Sequence, residues 1–206
     1  MRSLMVAVLV VGCGGTASGV DRAVSAREEL VTPQAFAVVP SETSVELDAS
    51  VDRGDAHESA HVTVPVVSGG AVVSGAGDQL ELRELTIDLA PVDIPESILT
   101  GGVRLVDVHL RLAAPVTTAD ATWSDDDEHG GGSVRASLVL SWSVAISGRT
   151  FVLADQRIDD LAIAIGVDRS GDALTFDAGL IADGARWSWA DLVFFGDVAV
   201  TLHAEQ

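Results

Sequence analysis

The amino-acid sequence predicts an all-β fold, an antiparallel β-sandwich or open barrel. Three observations carry that reading. Apolar residues recur at every second position from about Ser44 to the end of the 206-residue chain. Turn-forming clusters separate these runs. No long stretch has the 3.6-residue period of an amphipathic helix, and no repeat of about 20–50 residues is visible.

The clearest strand is Val134 to Ile146, with Val134, Ala136, Leu138, Leu140, Trp142, Val144 and Ile146 on one face and mostly polar residues on the other. A strand with that pattern buries one side and wets the other. Val106, Val108, Leu110 and Leu112 alternate with Asp107, His109 and Arg111. Leu161, Ile163, Ile165 and Val167 form a third set, Leu174, Phe176, Ala178 and Leu180 a fourth, and Val198, Val200 and Leu202 a fifth. Between Leu82 and Leu85 the apolar parity switches, which predicts a β-bulge near Arg83-Glu84. Asp168–Asp172 and Ala182–Arg186 read as hairpin connections, with glycine for positive φ. Ala90–Ser97 holds two prolines and is expected to leave the sheet. Ser124–Ser133 is expected to be an exposed loop.

The first thirteen residues follow a different logic. One arginine precedes an apolar run, Leu4 to Val11, and then Gly12-Cys13. The run is too short to span a bilayer as a helix and fits the core of a secretory signal peptide. Val10-Val11-Gly12-Cys13 resembles the bacterial lipobox. That resemblance implies cleavage before Cys13 and lipidation of Cys13, the only cysteine in the chain. Gly14 to Leu30 is small and polar, as in a flexible tether, with a short helix allowed over Asp21–Leu30. The expected organisation is a signal peptide at 1–12, a lipidated cysteine and linker at 13–32, and a single all-β domain at 33–206. The resemblance implies anchoring in the cell envelope, and the glycine after Cys13 favours the outer membrane.

A net charge of −19 excludes nucleic acid as a partner, because phosphate binding needs clustered basic residues. An anionic membrane surface is disfavoured for the same reason. An outer-membrane barrel would need aromatic girdles, and five Phe, four Trp and no Tyr supply them poorly.

His57-Glu58-Ser59-Ala60-His61 spells H-E-x-x-H, which binds zinc when both histidines lie on one helix face. The surrounding residues predict a strand instead. Ala60, Val62, Val64 and Val66 alternate with His61 and Thr63, and Pro65 follows. On a strand, residues four apart stand about 13 Å apart, too far to share one ion. Asp125, Asp126, Asp127 and Glu128 form a run of carboxylates that would suit a hard cation such as calcium. Their contiguity fits a solvated loop better. Trp187 and Trp189 share one strand face and are candidate contacts for a glycan or an apolar ligand. Asp107, His109 and Arg111 read as a charged solvent face. No phosphate loop, nucleophile elbow or C-x-x-C is present, and no cofactor is expected.

The function these features predict is that of a non-enzymatic envelope lipoprotein, a structural or binding β-module. Its partners would be the membrane, through lipid on Cys13, and an envelope protein, glycan or apolar ligand. Two alternatives make distinct structural demands. A carrier of apolar ligands needs a splayed sandwich or barrel with an internal cavity. A zinc metallopeptidase needs His57 and His61 on a helix.

Overall fold

The computed structural model describes residues 24–53, 56–98, 101–189 and 192–206, and the fold is all-β. Cys13 and the expected signal peptide lie outside the described residues. One short helix, α1 (Ala26–Glu29), precedes the strands β1 (Gln34–Val38), β2 (Ser44–Arg53), β3 (Ala56–Val64), β4 (Val66–Ala76) and β5 (Gln79–Leu89). There follow β6 (Val92–Asp93), β7 (Arg104–Leu112), β8 (Val116–Thr117), β9 (Thr122–Trp123) and β10 (His129–Ile146). The chain ends with β11 (Arg149–Val152), β12 (Gln156–Ser170), β13 (Ala173–Trp189) and β14 (Leu192–Glu205).

All pairings among the described residues are antiparallel, and half of them join strands consecutive in sequence. The path runs β1-β4-β5-β7-β10-β12-β13-β14, and β14 pairs back onto β1 through Ala37↔Glu205 and Val38↔Ala204. The sheet therefore returns on itself as a barrel. Closure removes the exposed edges an open sheet would present. Phe36, Val73, Leu82, Ile163, Phe176 and Leu202 fill the interior, with the Phe36 and Phe176 rings 5.7 Å apart.

Beyond this ring the pairing divides. β12 and β13 pair only from Ile163↔Leu180 to Ser170↔Ala173, although both strands continue. On the other side, β3 pairs only β2 among the described residues. The far end is splayed into two arms, one of β13, β14, β2 and β3, the other built on β7, β10 and β11.

α1 closes the opposite end. Ser25 caps it and accepts from the Glu28 backbone N–H, while Glu28 reaches back to the Ser25 N–H. Ala26 and Leu30, four apart and so on one face, are completely buried against the barrel. Arg27 donates to Asp127 (3.0 Å) and Asp78 (2.6 Å) and sits 5.5 Å above the Trp123 ring. Arg169 pairs with Glu29 and Glu128. The expected linker thus ends sooner than residue 32. Ser25 to Leu30 belong to the folded domain, because the capping box and two buried apolar side chains tie them to it.

The predicted bulge is present: Val72 pairs Glu84 and Val73 pairs Leu82, so Arg83 is the extra residue. Gly171-Asp172 makes the predicted tight turn, with Gly171 at φ +66°. Other expectations need correction. The loop expected at Ser124–Ser133 ends at Glu128, because β10 starts at His129 and pairs there with β12. Ala182–Arg186 is not a hairpin. β13 runs through it to Trp189, and the extra residues form a register shift between Ala182 and Ala185 because β14 continues to pair alongside. Ala90–Ser97 does not leave the sheet altogether. Val92 pairs Leu105, Ile94 N–H donates to the Val103 carbonyl (2.9 Å), and Ile98 and Val103 are buried. Residues 90–98 fold back over the splayed end as a cover, and Ile94 is held there by Val103.

Candidate functional site

Between the two arms lies a partly open cavity of about 170 Å³. Its walls come from β2, β3, β5, β7, β10, β12 and β14, and Val92, Ile94, Pro95 and Ile98 of the covering segment roof it. Every lining residue is apolar. Sequence alternation explains this directly, since the inward positions of the strands are Val, Leu and Ile almost without exception. In β7 the alternation slips once. Asp107 adopts φ +52°, and Leu105 then joins Val108 and Leu110 at the cavity, while Val106 does not. Trp142 lines the cavity from β10. The alternation of Val134 to Ile146 placed Trp142 on the apolar face, but nothing local distinguishes a cavity wall from a filled core.

The outer surface is charged and paired across strands. His61 Nδ1 lies 2.7 Å from Asp48 and its Nε2 lies 2.9 Å from Glu46. His109 faces Asp88 at 2.7 Å, His129 faces Asp168 at 2.8 Å and His203 faces Asp177 at 2.7 Å. His57 stands opposite Asp52 in register. The hydrogen bond His61 makes to the Asp48 carboxylate holds it above the usual imidazole range, and that of His203 to Asp177 does the same. Ser68 first, then His109, hold the Asp88 carboxyl below the ordinary range. Arg157 does so for Asp159, with help from Ser137.

The candidate residues named from sequence fall in several places. His57 and His61 lie on β3, a strand, so the helix that H-E-x-x-H chemistry needs is not formed. Val62 and Val64 turn inward to the cavity and His61 and Thr63 are exposed, as the alternation predicts. The acidic run is spent on protein partners rather than gathered for a cation. Asp126 accepts from the Ser124 hydroxyl, Asp127 from Arg27, and Glu128 from the Ala26 N–H. Asp125 is exposed. Among the described residues no group of three or more His, Cys, Asp or Glu side chains is arranged to hold a metal. Trp187 and Trp189 lie on β13, opposite Phe194 and Leu192 of β14; their side chains, like that of His57, lie outside what is described. Asp107, His109 and Arg111 are exposed, as expected of a wet face.

Fold and site together define a closed antiparallel β-barrel with an apolar interior and a charged exterior. Outer-membrane barrels place their apolar band outside and polar residues within; this barrel does the reverse. No known family model matches the chain, and no curated protein matches it. Solved structures of Ail, the attachment invasion locus protein of Yersinia pestis, are loosely similar. One is in complex with the heparin analogue sucrose octasulfate, at 4% identity and a TM-score of 0.36. Another Ail structure has 8% identity and a TM-score of 0.35, and each comparison covers 84% of this chain and 99% of Ail. A likeness this loose says nothing of what the present chain does.

Proposed function

We propose that this protein is a non-enzymatic binding protein that holds a small apolar ligand between the arms of its barrel, tethered in the cell envelope by lipid on Cys13. The observation that carries the reading is the cavity of about 170 Å³ with a wholly apolar lining. A dry engineered cavity of about 150 Å³ takes up benzene, so the space is ample for a ligand of about that size. The lining offers hydrophobic burial and no acid, base or nucleophile among the described residues. The covering segment 90–98 would be the moving part. The lipobox-like segment ending at Cys13 supports export and anchoring, with the outer membrane as the destination, and α1 at the closed end would turn the splayed end away from the anchor.

The test uses the full chain carrying Cys13→Ser, which cannot be acylated. Saturation with n-hexane should raise the melting temperature, because a ligand that binds only the folded state stabilises it. Leu140→Trp, which fills the cavity from β10, should abolish that rise. An equal rise in both proteins would remove the cavity from the explanation. Separately, native Cys13 should retain the chain with membranes on fractionation, and Cys13→Ser should release it.

A further inference from the structure

The cavity is apolar, yet two polar atoms beside it have no partner. Trp142 lines the cavity, and its indole N–H is buried without an acceptor. Gln156 stands opposite Leu140 in register, on the same inner face as Ile158, a cavity residue. Its Oε1 is buried without a donor. Trp142 and Gln156 are therefore diagonal neighbours across β10 and β12, with backbones roughly 7–8 Å apart. Gln156 does not itself line the cavity, but from this diagonal position its amide and the Trp142 indole could share one small polar group placed between them. A buried donor and a buried acceptor left dry are costly, and the pairing of such groups is close to universal in folded proteins.

Charge narrows the choice. No arginine lines the cavity, and the chain carries −19 overall. Glu58, on the inward parity of β3 with Val62 and Val64, also has a buried carboxylate oxygen without a partner. A carboxylate or phosphate head would enter against that field and find no cation. An ammonium head could not accept from Trp142. A pure hydrocarbon would leave both groups unsatisfied. A hydroxyl accepts from the indole N–H and donates to the amide oxygen.

Resting on the apolar-ligand reading above, we infer that the ligand is a neutral, hydroxyl-headed aliphatic molecule, its chain in the cavity and its oxygen between Trp142 and Gln156. The experiment is calorimetric titration of the full chain with Cys13→Ser, using 1-hexanol, n-hexane and hexanoate, repeated in Trp142→Phe and Gln156→Met. Each substitution should weaken 1-hexanol roughly three- to tenfold and leave n-hexane within about twofold, the loss expected of one neutral hydrogen bond. Hexanoate should bind more weakly than 1-hexanol to the unsubstituted barrel. Equal weakening of alcohol and alkane, or none, overturns the assignment of the head group while the cavity reading stands. Absence of binding by both 1-hexanol and n-hexane overturns the cavity reading and this inference with it. The two substitutions act on different strands, so either alone decides the matter if the other does not fold.

Discussion

At the scale of single residues, the outer face is organised by histidines set directly opposite aspartates. His203 is the most enclosed described case, with Asp177 at 2.7 Å and Glu42 and Glu205 each at 3.8 Å from its ring. Because its folded value is raised, its stabilising effect is fully present below the ordinary histidine value of about 6.5 and is lost as pH rises through the folded value. His61 acts in the same direction. The aspartates with lowered values, Asp88, Asp126 and Asp159, act in the opposite sense. Their contribution is present above about 3.9 and fades as pH falls through their folded values. The melting temperature should therefore be highest between about pH 4 and 6.5 and decline on both sides. In His203→Gln the alkaline decline should be shallower. The difference from the parent should be largest near pH 5.5 and smallest above about pH 9. Parallel curves for the two proteins would show that His203 does not titrate into this network.

At the scale of elements, α1 and two close approaches of the sheet matter most. Leu30 is fully buried, and its carbonyl accepts from the Gly75 N–H at 2.6 Å. Leu30→Ala should cost about 2–5 kcal/mol of unfolding free energy in urea, as for other large-to-small changes in a packed core. A loss under about 0.5 kcal/mol would mean that α1 does not seal the barrel. Gly69 is tight for a different reason. A Cβ there would stand 2.4 Å from the Thr86 carbonyl oxygen, which is backbone of the neighbouring strand. Gly69→Ala must push β4 and β5 apart, and the expected loss is about 1–3 kcal/mol. Gly130 leaves its space to the flat face of Trp123, whose atoms lie 2.6–2.8 Å from where its Cβ would be.

At the scale of the whole molecule, the charge of −19 spreads over an exterior already rich in carboxylates. Mutual repulsion opposes the compact state and is screened by salt within about 10 Å at 0.1 M. Local ion pairs are weakened by the same screening, but exposed pairs contribute little. Repulsion should dominate, so the melting temperature at pH 7.5 should rise between 10 mM and about 0.5 M sodium chloride. A fall would mean that the paired surface outweighs the net charge.

Much of this fold was legible in local pattern. Alternation located the strands, and the parity change at Leu82–Leu85 placed the bulge at Arg83, because one extra residue is what returns an apolar set to the same face. The S-x-x-E at Ser25–Glu28 was equally open to reading as a helix start. The sequence allows a short helix there within the tether, and four helical residues are too few for their period to show that it packs on the barrel. The Asp183-Gly184 step looked like a turn, since glycine after aspartate serves a bulge and a hairpin alike, and only the partner strand decides between them. The unsatisfied Trp142 indole N–H and Gln156 amide oxygen carried no local signal at all. What the sequence by itself determined is the all-β class, the polar outside and apolar inside, and the strand character of His57–His61, for each is set by neighbours within a few residues. Closure of β14 onto β1, the splay that opens the cavity, and the register that sets Gln156 diagonal to Trp142 were decided only in the tertiary structure. They depend on register between strands distant in sequence, where small shifts in bulges determine which side chains meet and whether space is left between them.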